Sequence, residues 1–287
     1  MNIAPAARLS VEPLGPVIGA IVRGVDLSRP QSDGSIAEIR AALLRHQVIF
    51  FEDQDITPVQ QRDFAAHFGK LHVHPVYPSF EGVPELMLLD HHAGNPTDND
   101  NWHTDVTFIE TPPLGALLYA VQLPPSGGDT MWSSMTAAYD ALSPTFREFL
   151  ASREAVHDFM RAFSPQRQVS KDAGEDRYEK ARRENPPVTH PVIRTHPETG
   201  KQGLFVNYAF TARITDLSKP ESSLILDYLH KHIQRPEFIV RYRWKPGSLA
   251  FWDNRCTQHF AVNDYLPHRR VMHRATVLGD KPYYRAA

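Results

Sequence analysis

Hydrophobic and polar positions change period several times along the chain, and each change marks an element. Residues 8 to 29, RLSVEPLGPVIGAIVRGVDLSR, mix β-branched residues with Gly and Pro punctuation and predict short strands joined by turns. Ile36, Ile39, Leu43 and Leu44 then fall on one helical face, with Ser35 as the expected cap. HQVIFFED (46 to 53) reads as a buried strand. Thr57 and Gln60 form a capping box with Pro58 at the first helical position, which predicts a helix to about Phe68, stopped by Gly69. Ser143 before Pro144, and Ser218 with Glu221, announce helices near 144–153 and 219–233. In FIVRYRW (238 to 244), Phe238, Val240, Tyr242 and Trp244 alternate against Ile239, Arg241 and Arg243, the period of a strand. A Pro246-Gly247 turn then sends the chain through SLAFWD.

Strands separated by turns, with no regular crossover helices, predict a mainly β protein with flanking α helices, an antiparallel barrel or jelly roll rather than a doubly wound sheet. Residues 164 to 187, SPQRQVSKDAGEDRYEKARRENPP, are strongly polar and predict a mobile excursion, either a solvated loop or a lid. No repeat of fixed period is present. With 287 residues, 41% hydrophobic and 22% charged, the chain fits a single globular domain over 1–287. A formal charge of -2 excludes the basic footprint of a nucleic-acid partner. The single cysteine, Cys256, cannot form an intrachain disulfide, and the first thirty residues lack the basic start and apolar run of a secretory signal, so a cytoplasmic setting is expected. No apolar run is long enough for a spanning helix, so no membrane is expected.

The chemistry starts from histidine, of which there are 15. In NWHTDVTF (101 to 108), His103 and Asp105 stand two residues apart, and strand alternation sends both to one face. An imidazole and a carboxylate there supply two of the three ligands of a facial site of two histidines and one carboxylate, which leaves open positions on iron. The spacing alone carries little, because chance supplies about one His-x-Asp in a chain of this composition. His196 and Glu198 make the same pattern, but Pro197 between them in RTHPETGK disfavours a paired strand. What raises the first pair is its company: His259 as a third ligand, followed by Arg270, Met272, Arg274 and Thr276 on one strand face. That spacing sets two guanidiniums roughly 13 Å apart, and buried arginines are costly unless each meets an anion.

WHTDVTF with Pro112-Pro113 beyond it, GGDT (127 to 130), WDNR (252 to 255), QHFAVNDY (258 to 265) and RRVMHRAT (269 to 276) together resemble the taurine dioxygenase family of Fe(II)/2-oxoglutarate oxygenases. The resemblance runs over nearly the whole chain and implies a double-stranded β-helix, the jelly-roll core that patterning already favours. It implies His103, Asp105 and His259 as iron ligands, and Arg270 with Thr130 at the distal carboxylate of 2-oxoglutarate. It also implies a substrate pocket of His74, Tyr77, Asn99 and Arg274, with Phe163 and Phe210 as apolar walls. Position 162 departs from the pattern, with alanine where a family member lines its pocket with a hydroxyl residue. The implied reaction uses Fe(II), 2-oxoglutarate and O2, with ascorbate as an aid in vitro, and hydroxylates the carbon bearing a sulfonate. A homo-oligomer, dimer or tetramer, is expected. Rival readings are a related dioxygenase for alkyl sulfate esters, other alkanesulfonates or aryloxyacetates, a non-catalytic 2-oxoglutarate sensor, and a zinc hydrolase on the same three ligands.

Overall fold

The computed structural model describes residues 9–74, 77–97, 99–162 and 174–286. In hydrogen-bonding order, strands Ser10–Pro13, Ala20–Arg23, Val48–Phe51, Leu249–Asp253, Gly115–Gln122, Arg270–Val277, Val83–His91 and Ser79–Phe80 form an eight-stranded sheet. Facing it is a three-stranded sheet of Ile239–Tyr242, Thr130–Ser134 and Thr257–Ala261. A third sheet, Thr211–Ile214, Glu154–His157 and Val188–Pro191, and the pair Ile193–Thr195 with Gln202–Leu204, complete the strands among the described residues.

The unbroken apolar run in Val48–Phe51 has a physical cause, since both faces of this strand are covered. Val48 and Phe50 point between the sheets into a cluster with Trp132, Tyr242, Trp244 and Trp252, where Phe50 stacks on Tyr242 at 4.0 Å between ring centres. Ile49 and Phe51 point outward to Ile39, Leu43, Phe64 and Phe68 of two helices, Asp33–His46 and Pro58–Ala66. This is the jelly-roll core with helices packed outside that the patterning predicts.

Capping follows the sequence closely, with one shift. Pro58–Ala66 carries the Thr57/Gln60 box, Pro144–Ala151 is capped by Ser143, and Lys219–His232 carries the Ser218/Glu221 box. The first helix begins one turn earlier than expected, because the Ser32 hydroxyl accepts from the Ser35 N–H at 3.1 Å and Ser32, not Ser35, is the cap. The strand expected over 238–244 is trimmed to Ile239–Tyr242, with Phe238 in a short 3-10 turn. The Pro246-Gly247 turn then changes sheets: Ile239–Tyr242 pairs with Thr130–Ser134, whereas Leu249–Asp253 pairs with Val48–Phe51 and Gly115–Gln122. Of the polar excursion, residues 164–173 lie outside the described residues, and Gly174–Glu184 is a helix. No helix among the described residues is long and apolar enough to cross a membrane.

Candidate active site

His259 lies on the Thr257–Ala261 strand, and His103 pairs with it by two backbone hydrogen bonds, His103 N–H to His259 O at 3.1 Å and His259 N–H to His103 O at 2.8 Å. Antiparallel pairing of this kind puts both side chains on one face, and the ring centres lie 4.1 Å apart. The strand expected over 101–108 does not form. After the single bridge at His103 the chain turns at Asp105–Phe108, with Val106 at φ 52°. A β-branched residue there costs about 1–3 kcal/mol, which surrounding contacts must over-determine. The Thr104 hydroxyl donates to the Thr257 carbonyl at 2.9 Å on one side, and Thr107 is fully buried on the other. The turn does what alternation was expected to do, since Asp105 Oδ1 ends 3.8 Å from His103 Nε2 and 3.6 Å from His259 Nε2.

The protonation states suit ligation. His103 Nδ1 faces the Asn101 carbonyl at 2.8 Å and must donate there, which leaves the lone pair on Nε2, the atom facing Asp105. Burial, reinforced by His103, pushes the His259 imidazolium far below its ordinary pKa, so the ring is neutral. Burial alone would raise the Asp105 carboxyl, but the Arg274 guanidinium holds it well below the usual carboxylate range. The three ligand atoms lie within 4.8 Å of one another and all three residues are buried.

Arg270 and Arg274 both project from Arg270–Val277 toward the space between the sheets, where Trp244 and Trp252 lie under their guanidiniums at 5.7 and 5.3 Å. Their partners differ. Arg274 Nη2 pairs with Asp105 Oδ2, so the carboxylate is shared between the arginine and the histidine pair. Arg270 is 5% exposed, has no ion pair among the described residues, and its Nε and Nη2 have no hydrogen-bond partner. Burial pushes its pKa down to about 10. Thr130 is buried nearby, its hydroxyl accepting from Trp244 Nε1 at 3.0 Å. Gly128 makes room for the arginine: at φ +71 its missing Cβ would stand 3.2 Å from Arg270 Cδ.

The remaining expected residues are only partly gathered. His74 and Tyr77 touch, with ring centres 4.9 Å apart and the Tyr77 N–H donating to His74 Nδ1 at 3.2 Å, and both line a small cavity with His72, Glu85 and Arg274. Asn99 sits beside the His259 strand, its carbonyl accepting from the Ala261 N–H at 3.2 Å. Phe210 is buried against Phe108, and Ala162 packs on the same aromatic cluster. Phe163 lies outside the described residues. The pair His196 and Glu198 lies in a turn, as Pro197 suggested, and belongs to a different charge cluster. His196 Nε2 meets Asp253 at 3.0 Å, and Glu198 pairs with Arg255 at 2.6 Å. His196, Asp253 and Cys256 also lie close enough to hold a metal, but Arg255 grips both Asp253 oxygens at 2.8 and 2.7 Å and neutralises them. The patterning gave Trp244 no role in the site, although the alternation of 238–244 already turned it inward.

The family model for taurine catabolism dioxygenase TauD, TfdA family, matches residues 10–276. The chain belongs to the TauD/TfdA family. The alpha-ketoglutarate-dependent sulfate ester dioxygenase of Pseudomonas putida is 38% identical, over 96% of this chain and 92% of that one. A crystal structure of a putative alpha-ketoglutarate-dependent taurine dioxygenase from Burkholderia xenovorans superposes with TM-score 0.84 at 38% identity, covering 96% of this chain and 95% of that chain. A further crystal structure, in complex with Mn(II) and N-oxalylglycine, superposes with TM-score 0.80 at 29% identity, covering 97% and 100%. This TauD/TfdA chain is thus an alpha-ketoglutarate-dependent dioxygenase, an enzyme that uses Fe(II), 2-oxoglutarate and O2.

Proposed function

We propose that this TauD/TfdA dioxygenase acts on taurine, converting taurine, 2-oxoglutarate and O2 into aminoacetaldehyde, sulfite, succinate and CO2. The carrying observation is the pair of inward guanidiniums beside the His103, Asp105, His259 cluster, of which, among the described residues, one has no acid partner and the other pairs only with Asp105. A buried Arg without an anion is costly, so Arg270 calls for a ligand carboxylate, and the distal carboxylate of 2-oxoglutarate meets that need with Thr130 beside it.

The donor set fits iron, with two imidazole nitrogens and one ionised carboxylate oxygen within 4.8 Å of one another. Bound Fe(II), with the keto acid and O2, supplies the oxidation of the substrate carbon. The chain supplies positioning. The Asn101 carbonyl orients His103, and Arg270 fixes the keto acid by its far end. Arg274 Nε, which has no hydrogen-bond partner among the described residues, is offered to the sulfonate while Nη2 keeps Asp105 aimed. His74, Tyr77 and Asn99 bind the polar ends of the substrate, and Phe163 and Phe210 close it off from water. The same reading takes the protein to be a cytoplasmic homo-oligomer.

One observation favours a second substrate class: the 38% identical relative carries the name of a sulfate ester dioxygenase. A sulfate ester offers Arg274 the same oxyanion. Substrate-stimulated succinate formation, followed with Fe(II) across taurine, longer alkanesulfonates and alkyl sulfates, separates the two. Stimulation strongest with taurine is expected; stimulation by sulfate esters alone removes the taurine reading.

A further inference from the structure

Asn207 stands behind the site, 1% exposed, and joins two parts of it that are far apart in sequence. Its side-chain Nδ2 donates to the Thr107 hydroxyl at 3.0 Å, and its Oδ1 accepts from the Phe210 N–H at 2.9 Å. Its backbone is fixed by Thr211, whose hydroxyl accepts from the Asn207 N–H at 2.9 Å. Thr107 follows Val106, the left-handed residue that turns Asp105 toward the histidines. Phe210 belongs to the aromatic cluster of Phe108 and Phe159, on which Ala181 of the helix Gly174–Glu184 also packs.

An amide nitrogen can only donate, so the Thr107 hydroxyl accepts from Asn207, and the same hydroxyl bonds His157 Nδ1 at 2.8 Å. His190 Nε2 lies 3.0 Å from both the Thr107 and the Ile109 carbonyls and therefore carries its proton there. Thr107 is thus held by three side chains at 0% exposure, an over-determined anchor for a strained turn.

We propose that Asn207 is a positioning residue for the reaction, tying the Asp105 turn and the Phe210 wall into one unit so that the metal carboxylate and the substrate pocket are aligned together. This rests on Asp105 being a metal ligand and Phe210 a substrate wall, as argued above. Arg270, on the eight-stranded sheet, takes part in none of these bonds, so the grip on 2-oxoglutarate is independent of Asn207.

The test uses three variants of the full chain. Thr107→Val keeps the shape and removes the hydroxyl's bonds to Asn207 and His157 while leaving the Asn207–Phe210 bond in place. Asn207→Asp keeps the acceptor for Phe210 but loses the donor to Thr107, and Asn207→Leu loses both. Mn(II) binding to the metal-free protein, KM for taurine or an alkyl sulfate, KM for 2-oxoglutarate, and thermal unfolding are measured together. Thr107→Val and Asn207→Asp should weaken Mn(II) binding about 10- to 100-fold, the range for residues that orient a ligand, with little change in substrate KM. Asn207→Leu should raise both the Mn(II) Kd and the substrate KM, with 2-oxoglutarate KM unchanged. If these variants lower the unfolding temperature yet bind Mn(II) and substrate like wild type, Asn207 is structural only and the proposal is wrong. Should Asn207→Leu not fold, the other two variants decide. Wild-type protein that binds no Mn(II), or binds it equally well as Asp105→Ala, overturns the metal reading itself.

Discussion

Two arginines on one strand face differ in what removing them exposes. Arg270 has no acid partner among the described residues, so Arg270→Met leaves no charge stranded and exchanges a desolvated guanidinium for apolar volume. The metal-free variant should be at least as stable as wild type in thermal melts, while KM for 2-oxoglutarate rises about 10- to 100-fold from the lost charge-assisted bonds. Arg274→Met does the reverse. It strands Asp105, which is 4% exposed, and should destabilise the metal-free protein by about 3–5 kcal/mol. Added Mn(II) should restore more of the melting temperature in this variant than in wild type, because the ion replaces the lost cation. The period-2 spacing of Arg270 and Arg274 made the shared face legible in the sequence. Their partners were not legible, because Asp105 reaches Arg274 only through a turn that local pattern does not announce.

That turn is where element-scale reading was least successful. Alternation placed His103 and Asp105 on one strand face; the protein reaches the same convergence with one bridge to His259 and a left-handed Val106. The cause is tertiary, since Thr104 and Thr107 are bonded to residues remote in sequence. Capping was better read, because a Ser or Thr hydroxyl three residues before its N–H is a local signal; even the shift from Ser35 to Ser32 stays within one turn. The GGDT turn offers a direct test. Gly128→Ala forces a side chain into a left-handed backbone position and against Arg270 Cδ and Nε at 3.2 and 3.3 Å. It should raise KM for 2-oxoglutarate by about tenfold, about 1.4 kcal/mol, while Mn(II) affinity stays near wild type. An unchanged KM would separate Arg270 from the keto acid.

Across the whole molecule, the three-stranded sheets bury histidines in their neutral form, His259 on the one that faces the large sheet and His157 and His190 on the other. His157 and His259 are pushed well below their ordinary pKa by burial, and His190 to about 4. The unfolded chain protonates these rings near pH 6.5, whereas the native protein does not. Stability is therefore full above about pH 6.5 and falls as pH drops toward 4, by about 1.4 kcal/mol per pH unit for each ring protonated only on unfolding. Asp105 and Asp253, both held low by arginines, add to the loss below about pH 4. Melting curves of the metal-free protein from pH 7.5 to about 4 check this, and a flat profile would show that the rings are not buried neutral. The mainly β jelly roll was legible from strands without crossover helices. The route of the chain between sheets was not, because a Pro-Gly turn reads the same whether it closes a hairpin or crosses the sandwich. The choice between sulfonate and sulfate ester rests on the fate of the sulfur. With Fe(II), 2-oxoglutarate, air and taurine, sulfite should appear in step with succinate, one for one. Succinate without sulfite from any sulfonate, together with sulfate released from an alkyl sulfate, would contradict the account.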